Sequence, residues 1–333
     1  MSSREPVFDV MKGIGIILML VGHIPPGEKV YGIIYSFHMP LFFLVSGAFA
    51  KVNGNAKGAI VKDLKRLVLP VFVTMAFVIV LSPLYYFIDG NFSNVVVQVL
   101  SLLWLGDAVG TKWGLLNIDS LWFLMALFWA RCLFRVVAKC CERIQKYRDE
   151  IIVAICMALS FASISLHHLL PPIPWDLLKG LSAVQFYAIG WYLKNHKLPR
   201  WVFASFVVCW LLALRFGGLD MVRYYYRCYP LDVLGAVGAT TLVYLLSKAI
   251  CIYLAKPGEL LQWFGINSLL VLCVNSLDRK TCFVRAIKYV LGVDLTGLYS
   301  VMFHYAVEMV LVFLFLLIPF TKAVYGAKRL KEI

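Results

Sequence analysis

Residues 8–27 read FDVMKGIGIILMLVGHIPPG. The block is apolar and approaches the roughly 20 residues that a helix needs to cross a bilayer, yet Asp9 and Lys12 stand at one end and His23 at the other. An ionisable group in a lipid-spanning segment is penalised unless it faces the interior of a bundle and finds a partner there. Lys12 and His23 are eleven residues apart. At about 100° per residue that spacing returns the side chain to within roughly 20° of its starting face, about 16 Å further along the axis. Both therefore project the same way, into a bundle. Asp9, three residues before Lys12, is placed to pair with it and offset the cation. Three glycines between them, Gly13, Gly15 and Gly22, let a neighbouring helix or a ligand approach the backbone.

Outward from this block the same pattern repeats. The chain has 333 residues, 62% of them hydrophobic and 15% charged, with a mean hydropathy of +0.82. A soluble domain is about half apolar at most. Here the excess falls into blocks of near-spanning length, about ten of them: roughly 9–24, 31–50, 67–88, 119–138, 151–168, 178–194, 200–216, 230–254, 259–277 and 298–320. The fold class expected is all-α, a polytopic membrane protein of about ten helices, one membrane domain over 1–333 with no separate soluble domain. A cleaved secretory leader is not expected, because the first apolar block contains charges and no A-x-A-like site follows it.

The net charge of +14 raises the question of nucleic acid, but its distribution answers for orientation instead. With ten spans, the segments on the N-terminal side of the membrane hold 20 lysines and arginines, and those on the opposite side hold 9. The positive-inside rule then puts both termini in the cytoplasm, and no nucleic-acid partner is implied. Nine cysteines show no CxxC or zinc-like spacing and read as thiols in helices; a pairing of Cys228 with Cys282 on the outer side is not favoured. Two longer outer segments remain. One, about 89–118, contains NFSNVVVQVLSLLWLG, apolar enough for a surface-lying or re-entrant helix. The other, 278–297, is basic and amphipathic, with Phe283, Ile287 and Val290 on one helical face.

The second block, YSFHMPLFFLVSGAFAK, brings His38 to a depth similar to that of His23 on an adjacent antiparallel helix, so that the two imidazoles suit one site. Pro40 frees a backbone carbonyl in that helix. In the last block His304 and Glu308 are spaced i, i+4 on one face, and an acid there needs a partner: His304, an outer arginine or His23. The stretch RFGGLDMVRYYYRCYP (215–230) sets Arg223 and Arg227 among tyrosines that include Tyr225, which suits either stacking on sugars or ordinary interfacial anchoring.

Lys12 through His23 resembles the Arg/Lys-x10-His signature of membrane acyltransferase family 3, the integral-membrane sugar O-acyltransferases. The likeness continues in order through SFHMPLFFLVSGAF and KDLKRLVLP, and further in LWFLMALFW (121–129), VQFYAIGWYLK (184–194) and FGINSLLVL (264–272). It is most like the fucose-O-acetylase-like branch and runs over most of the chain. One departure is Asn275, near a point where relatives often carry histidine; an amide hydrogen-bonds but exchanges no proton near neutral pH.

The resemblance implies transfer of an acyl group, usually acetyl, from cytoplasmic acyl-CoA as co-substrate to a sugar hydroxyl of a lipid-linked or polymeric glycan, in the bacterial inner membrane, with no tightly bound cofactor and no metal. His23 is then the general base or a transient acyl carrier. His38 orients it or binds the acceptor. Lys12, with Asp9 beside it, holds the CoA phosphates, and Arg66 is a second phosphate contact or a membrane anchor. Ser36, Ser46, Trp122, Arg223, Tyr225 and Glu308 are the candidate substrate contacts, although serines in spans also bond to their own helix. Two other readings stay open: a transporter or flippase of a polysaccharide precursor, which would show broken mid-membrane helices and an internal repeat, and an inactive partner in polysaccharide assembly.

Overall fold

The structure, a computed structural model, describes residues 5–23, 28–52, 56–89, 103–104, 118–170, 173–281, 283–292 and 297–328. Its helices are α1 (Pro6–His23), α2 (Glu28–Tyr35), α3 (His38–Ala48), α4 (Ala56–Asp63), α5 (Leu69–Asp89), α6 (Trp122–Cys140), α7 (Arg148–Leu166), α8 (Leu177–Asn195), α9 (Arg200–Phe216), α10 (Tyr229–Tyr253), α11 (Ala255–Ile266), α12 (Ser268–Thr281), α13 (Phe283–Val290), α14 (Gly297–Leu317) and α15 (Pro319–Tyr325). A π-helical turn, Leu64–Val68, joins α4 to α5. The described strands are a two-residue pair, β1 (Leu219–Asp220) and β2 (Tyr225–Tyr226), antiparallel with Leu219 opposite Tyr226.

Each of the ten apolar blocks falls on a helix or a helix pair. Among the described residues, seven segments are long and apolar enough to cross a membrane, and an eighth if α11 and α12 form one broken span. α8 and α9 form where the sequence places them, α9 with 17 residues, and neither is among those seven. The protein is an all-α polytopic membrane protein. The expected surface helix within 89–118 lies almost entirely outside the described residues. In 278–297 the helix α13 forms, with Val284 buried and Val290 exposed, so Val290 is not part of a buried apolar face. Cys282 lies outside the described residues, and Cys228 is an exposed free thiol.

The chain divides into two compact units, each assembled from separated stretches. The first comprises 1–61, 126–171 and 177–266. The second comprises 62–125, 172–176 and 267–333. In the first unit α1 packs on α11, α3 on α8, α7 on α8 and α9 on α10. In the second, α12 packs on α5 and α14.

The first unit's tightest contacts are backbone against backbone. A Cβ placed on Gly47 of α3 would lie 1.9 Å from the Tyr187 carbonyl oxygen of α8, and one on Gly190 of α8 would lie 2.0 Å from that of Leu44. The α1–α11 pair repeats the device: a Cβ on Gly13 would lie 2.0 Å from Leu261 O, and one on Gly265 would lie 1.7 Å from Asp9 O. Between apolar helices in lipid, such close approach supplies the van der Waals contact that holds them together.

The second block is broken at Ser36–Phe37, and Pro40 explains where. Its ring cannot accommodate the carbonyl four residues earlier, that of Ser36, and it has no N–H to offer it. The break exposes carbonyls that side chains then cover. Ser36 Oγ donates to Ile33 O at 2.7 Å, and His38 Nδ1 donates to Ile34 O at 2.9 Å.

Replacing Gly47 or Gly190 by alanine is expected to destabilise the protein by about 1–3 kcal/mol through overpacking. Gly32→Ala, where nothing lies within 4 Å, should leave it unchanged or slightly firmer. Thermal unfolding of the purified variants in detergent checks this; equal midpoints for all three would refute the close packing.

Candidate functional site

The first unit gathers the residues singled out in the opening stretch. Asp9 is 3% exposed, and its Oδ1 lies 2.6 Å from Lys12 Nζ, so the i, i+3 pair forms in a largely dry place. Asp9 cannot drift, because Gly265 of α11 lies directly against its backbone carbonyl. Beyond the N-terminal end of α1, Lys194 of α8 pairs with Glu5 at 2.6 Å and lies over the rings of Phe8 and Phe49 at 4.9 and 5.7 Å. These contacts fix the end of α1 that carries Lys12.

At the other end of α1, His23 is half-buried and lies within electrostatic reach of His38. Gly22 makes this possible: a Cβ there would meet the Tyr35 ring at 3.3 Å and Ile34 at 3.4 Å, so α2 lies close beside the end of α1. His38 is 3% exposed. A carbonyl oxygen only accepts, so the bond to Ile34 O assigns the proton to Nδ1 and leaves the neutral ring a lone pair on Nε2. Tyr35 contacts the His38 ring edge-on at 4.8 Å and stacks on Tyr31 at 3.8 Å.

Arg223 and Tyr225 lie on the β1–β2 hairpin of the same unit, next to α2. Two aspartates shape it. Asp232, at the start of α10, accepts from the N–H groups of Gly218 and Cys228, both at 2.8 Å. Asp220 Oδ1 accepts from those of Val222 and Arg223 at 3.0 and 3.3 Å. Arg223 and Tyr225 are left largely exposed, with the Arg223 Nε 3.8 Å from Asp220 Oδ2. Burial pushes the Tyr226 phenol well above its ordinary value, so it stays protonated beneath them. Tyr224 stacks on His167 at 4.5 Å.

Ser36 and Ser46 are engaged within the unit. Ser36 Oγ, besides donating to Ile33 O, accepts from Trp210 Nε1 at 3.0 Å, and Ser46 Oγ accepts from Arg131 Nη2 at 2.8 Å. Arg131 was not anticipated from the sequence. Its signal was an arginine that follows ten apolar residues, LWFLMALFWAR, too deep for an end anchor. Gln185 was missed as well; it accepts from Tyr229 O–H at 2.6 Å.

Arg66, Trp122 and Glu308 belong to the second unit. Arg66 is exposed on the π-helical turn. Trp122 is 5% exposed and packs edge-on against Phe123. Glu308, 1% exposed, has two of the partners such an acid requires: His304 Nε2 at 3.5 Å, and the Asn275 amide, whose Nδ2 donates to Glu308 Oε1 at 2.9 Å. Asp278, which sequence reasoning passed over, lies 3.0 Å from the same imidazole nitrogen.

Comparison with curated proteins and with solved structures finds no match for the chain. The family model described as an acyltransferase domain matches residues 6–323, from the first turn of α1 to α15. Both ends of the Lys12–His23 spacing, the broken second block and all of α1 to α14 lie within that match, and the chain belongs to the acyltransferase domain family, membrane acyltransferase family 3.

Proposed function

We propose that this acyltransferase moves an acyl group, most often acetyl, from cytoplasmic acyl-CoA to a sugar hydroxyl of a bacterial surface polysaccharide or exopolysaccharide, at the inner membrane. The observation that carries the reading is that His23 lies within electrostatic reach of His38 at one end of α1, with the Asp9–Lys12 pair, its carboxylate buried, towards the other end. The exposed hairpin bearing Arg223 and Tyr225 lies beside α2, at the histidine end, and suits an acceptor that carries sugar rings and lipid phosphate.

In this reading Lys12 attracts CoA phosphate as a point charge, and Asp9 holds the ammonium group in place. His23 takes the proton from the sugar hydroxyl as that oxygen attacks the thioester carbonyl. Collapse of the tetrahedral intermediate expels the CoA thiolate, which takes up the proton from His23. An ester and CoA-SH are formed, with no change of oxidation state. His38, its ring held by Ile34 O, serves to orient His23. The alternative route places the acyl group briefly on His23. Trp122, well buried, and Ser36 and Ser46, already hydrogen-bonded, serve better as packing and positioning groups than as direct substrate contacts.

Purified protein in nanodiscs, supplied with radiolabelled acetyl-CoA and glycan acceptors, is expected to release CoA. His23→Ala should lower that rate by about 10²–10⁴-fold, the usual worth of a general base, without shifting the unfolding midpoint. Label retained on the wild-type protein would favour the acyl-histidine route. If the wild type neither binds nor hydrolyses acyl-CoA with any acceptor, the reading fails and the transporter or assembly-partner readings replace it.

Lys12→Met is expected to raise KM for acyl-CoA at least tenfold, whereas Lys12→Arg should retain most activity because the point charge survives. Equal KM values for wild type and Lys12→Met would remove Lys12 from donor binding.

A further inference from the structure

The second unit holds a cluster that the proposed reaction does not use. Asp278 of α12 and His304 and Glu308 of α14 each aim one ligand atom at a common point, and these three atoms lie within 4.8 Å of one another. His304 Nε2 is 3.0 Å from Asp278 Oδ2 and 3.5 Å from Glu308 Oε1. Four ligands at about 2.0–2.1 Å from a tetrahedral zinc ion stand about 3.3 Å apart, so both separations are those of metal-bound neighbours. We propose that Asp278, His304 and Glu308 form a binding site for a divalent transition-metal ion, zinc by preference.

Three features favour an ion over a plain hydrogen-bonded trio. The first is valence. One imidazole nitrogen carries one lone pair or one N–H, yet two carboxylates converge on it; a metal ion at that point satisfies all three groups at once. The second is charge. Asp278 and Glu308 are 3% and 1% exposed, and uncompensated carboxylates in such places are costly. A protonated His304 offsets one of the two negative charges, whereas a divalent ion with a neutral imidazole offsets both. The third is that, although Glu308 Oε1 accepts from Asn275, its other oxygen, Oε2, is buried with no hydrogen-bond partner among the described residues, so one carboxylate oxygen is left for an ion to take up.

The surroundings look like those that hold ligands in place. Asp278 Oδ1 accepts the Val284 N–H at 2.7 Å, which turns Oδ2 towards His304. The Asn275 amide donates to Glu308 Oε1 at 2.9 Å and fixes that carboxylate. Outer hydrogen bonds of this kind orient metal ligands and tune them. The nearby arginine, Arg279, pairs with Asp119 at 2.8 Å. His304, 36% exposed, is the accessible side, where water or a substrate oxygen would complete the coordination.

The test is metal content, not activity. Tag-free protein in nanodiscs, stripped with EDTA, incubated with zinc chloride and desalted, is expected to retain about one zinc per chain by mass spectrometry. Asp278→Asn, Glu308→Gln and His304→Gln should each weaken zinc binding at least tenfold. Cobalt chloride should give the wild type the visible bands of a tetrahedral nitrogen–oxygen site, and zinc should raise its thermal midpoint, which guards against variants that merely misfold. A wild type that retains no zinc and shows no cobalt bands overturns the proposal. So does zinc binding unaffected by all three substitutions. Neither result bears on acyl transfer by His23.

Discussion

An ionised side chain inside a bilayer-spanning bundle has to meet its counter-charge within the protein, because lipid offers none. Much of this molecule's arrangement follows from that constraint. Asp9 and Lys12 meet it on one turn of α1. Arg131, on α6, donates to the neutral Ser46 hydroxyl of α3, a hydrogen bond rather than a counter-charge. Asp278 and Glu308 meet it at His304. The contacts that join different helices, Arg131 with Ser46 and His304 with Asp278, favour one set of neighbours and one register, a discrimination that apolar surface alone does not supply when lipid is as apolar as leucine.

Pairing demands short range, and short range demands small residues. α1 can keep Asp9 dry because α11 comes up to its backbone, and α11 comes that close because Gly265 and Gly13 have no Cβ to hold it off. The same device at Gly47 and Gly190 locks α3 on α8, and α3 begins at His38. The glycines and the ionisable groups thus act together. The glycines bring the backbones into contact, and the polar groups make one contact register better than its neighbours. Pro40 adds a third element by forcing the break at which His38 turns its ring back to cover Ile34 O. A substitution that straightened the break would take away the bond that fixes the imidazole's tautomer.

How much of this was legible in the chain depends on the range of the interaction. Near-neighbour features were readable: the ten apolar blocks, the Asp9–Lys12 pair and the His304–Glu308 pair all rest on residues within one helix. The approach of His23 to His38 was readable because a short connection makes the two helices antiparallel neighbours. The β1–β2 hairpin was not, since its shape is set by Asp220 and by Asp232 reaching back across ten or more residues to Gly218. Asp278 was passed over for the same reason: its meaning lies in α14, 26 residues further on, and in the Val284 amide that turns it. Asn275, read first as a lost histidine, proves to be the donor that holds Glu308.

The histidines in the apolar helices are not chemically equivalent, and the difference sorts their roles. A general base needs a nitrogen lone pair that is open to the incoming hydroxyl. His304 offers Nε2 to Asp278 and Glu308 together, so that position is already committed, whether to a proton or to a metal ion. His38 spends Nδ1 on Ile34 O and keeps Nε2, but at 3% exposure it sits behind its neighbours rather than at an opening. His23, half-buried at the last turn of α1 and within reach of His38, combines access with a second imidazole at hand. The proposed reaction therefore assigns proton transfer to His23, with His38 as its fixed neighbour. The cluster on α12 and α14 is left to a different task, one in which an imidazole held between two carboxylates is an asset.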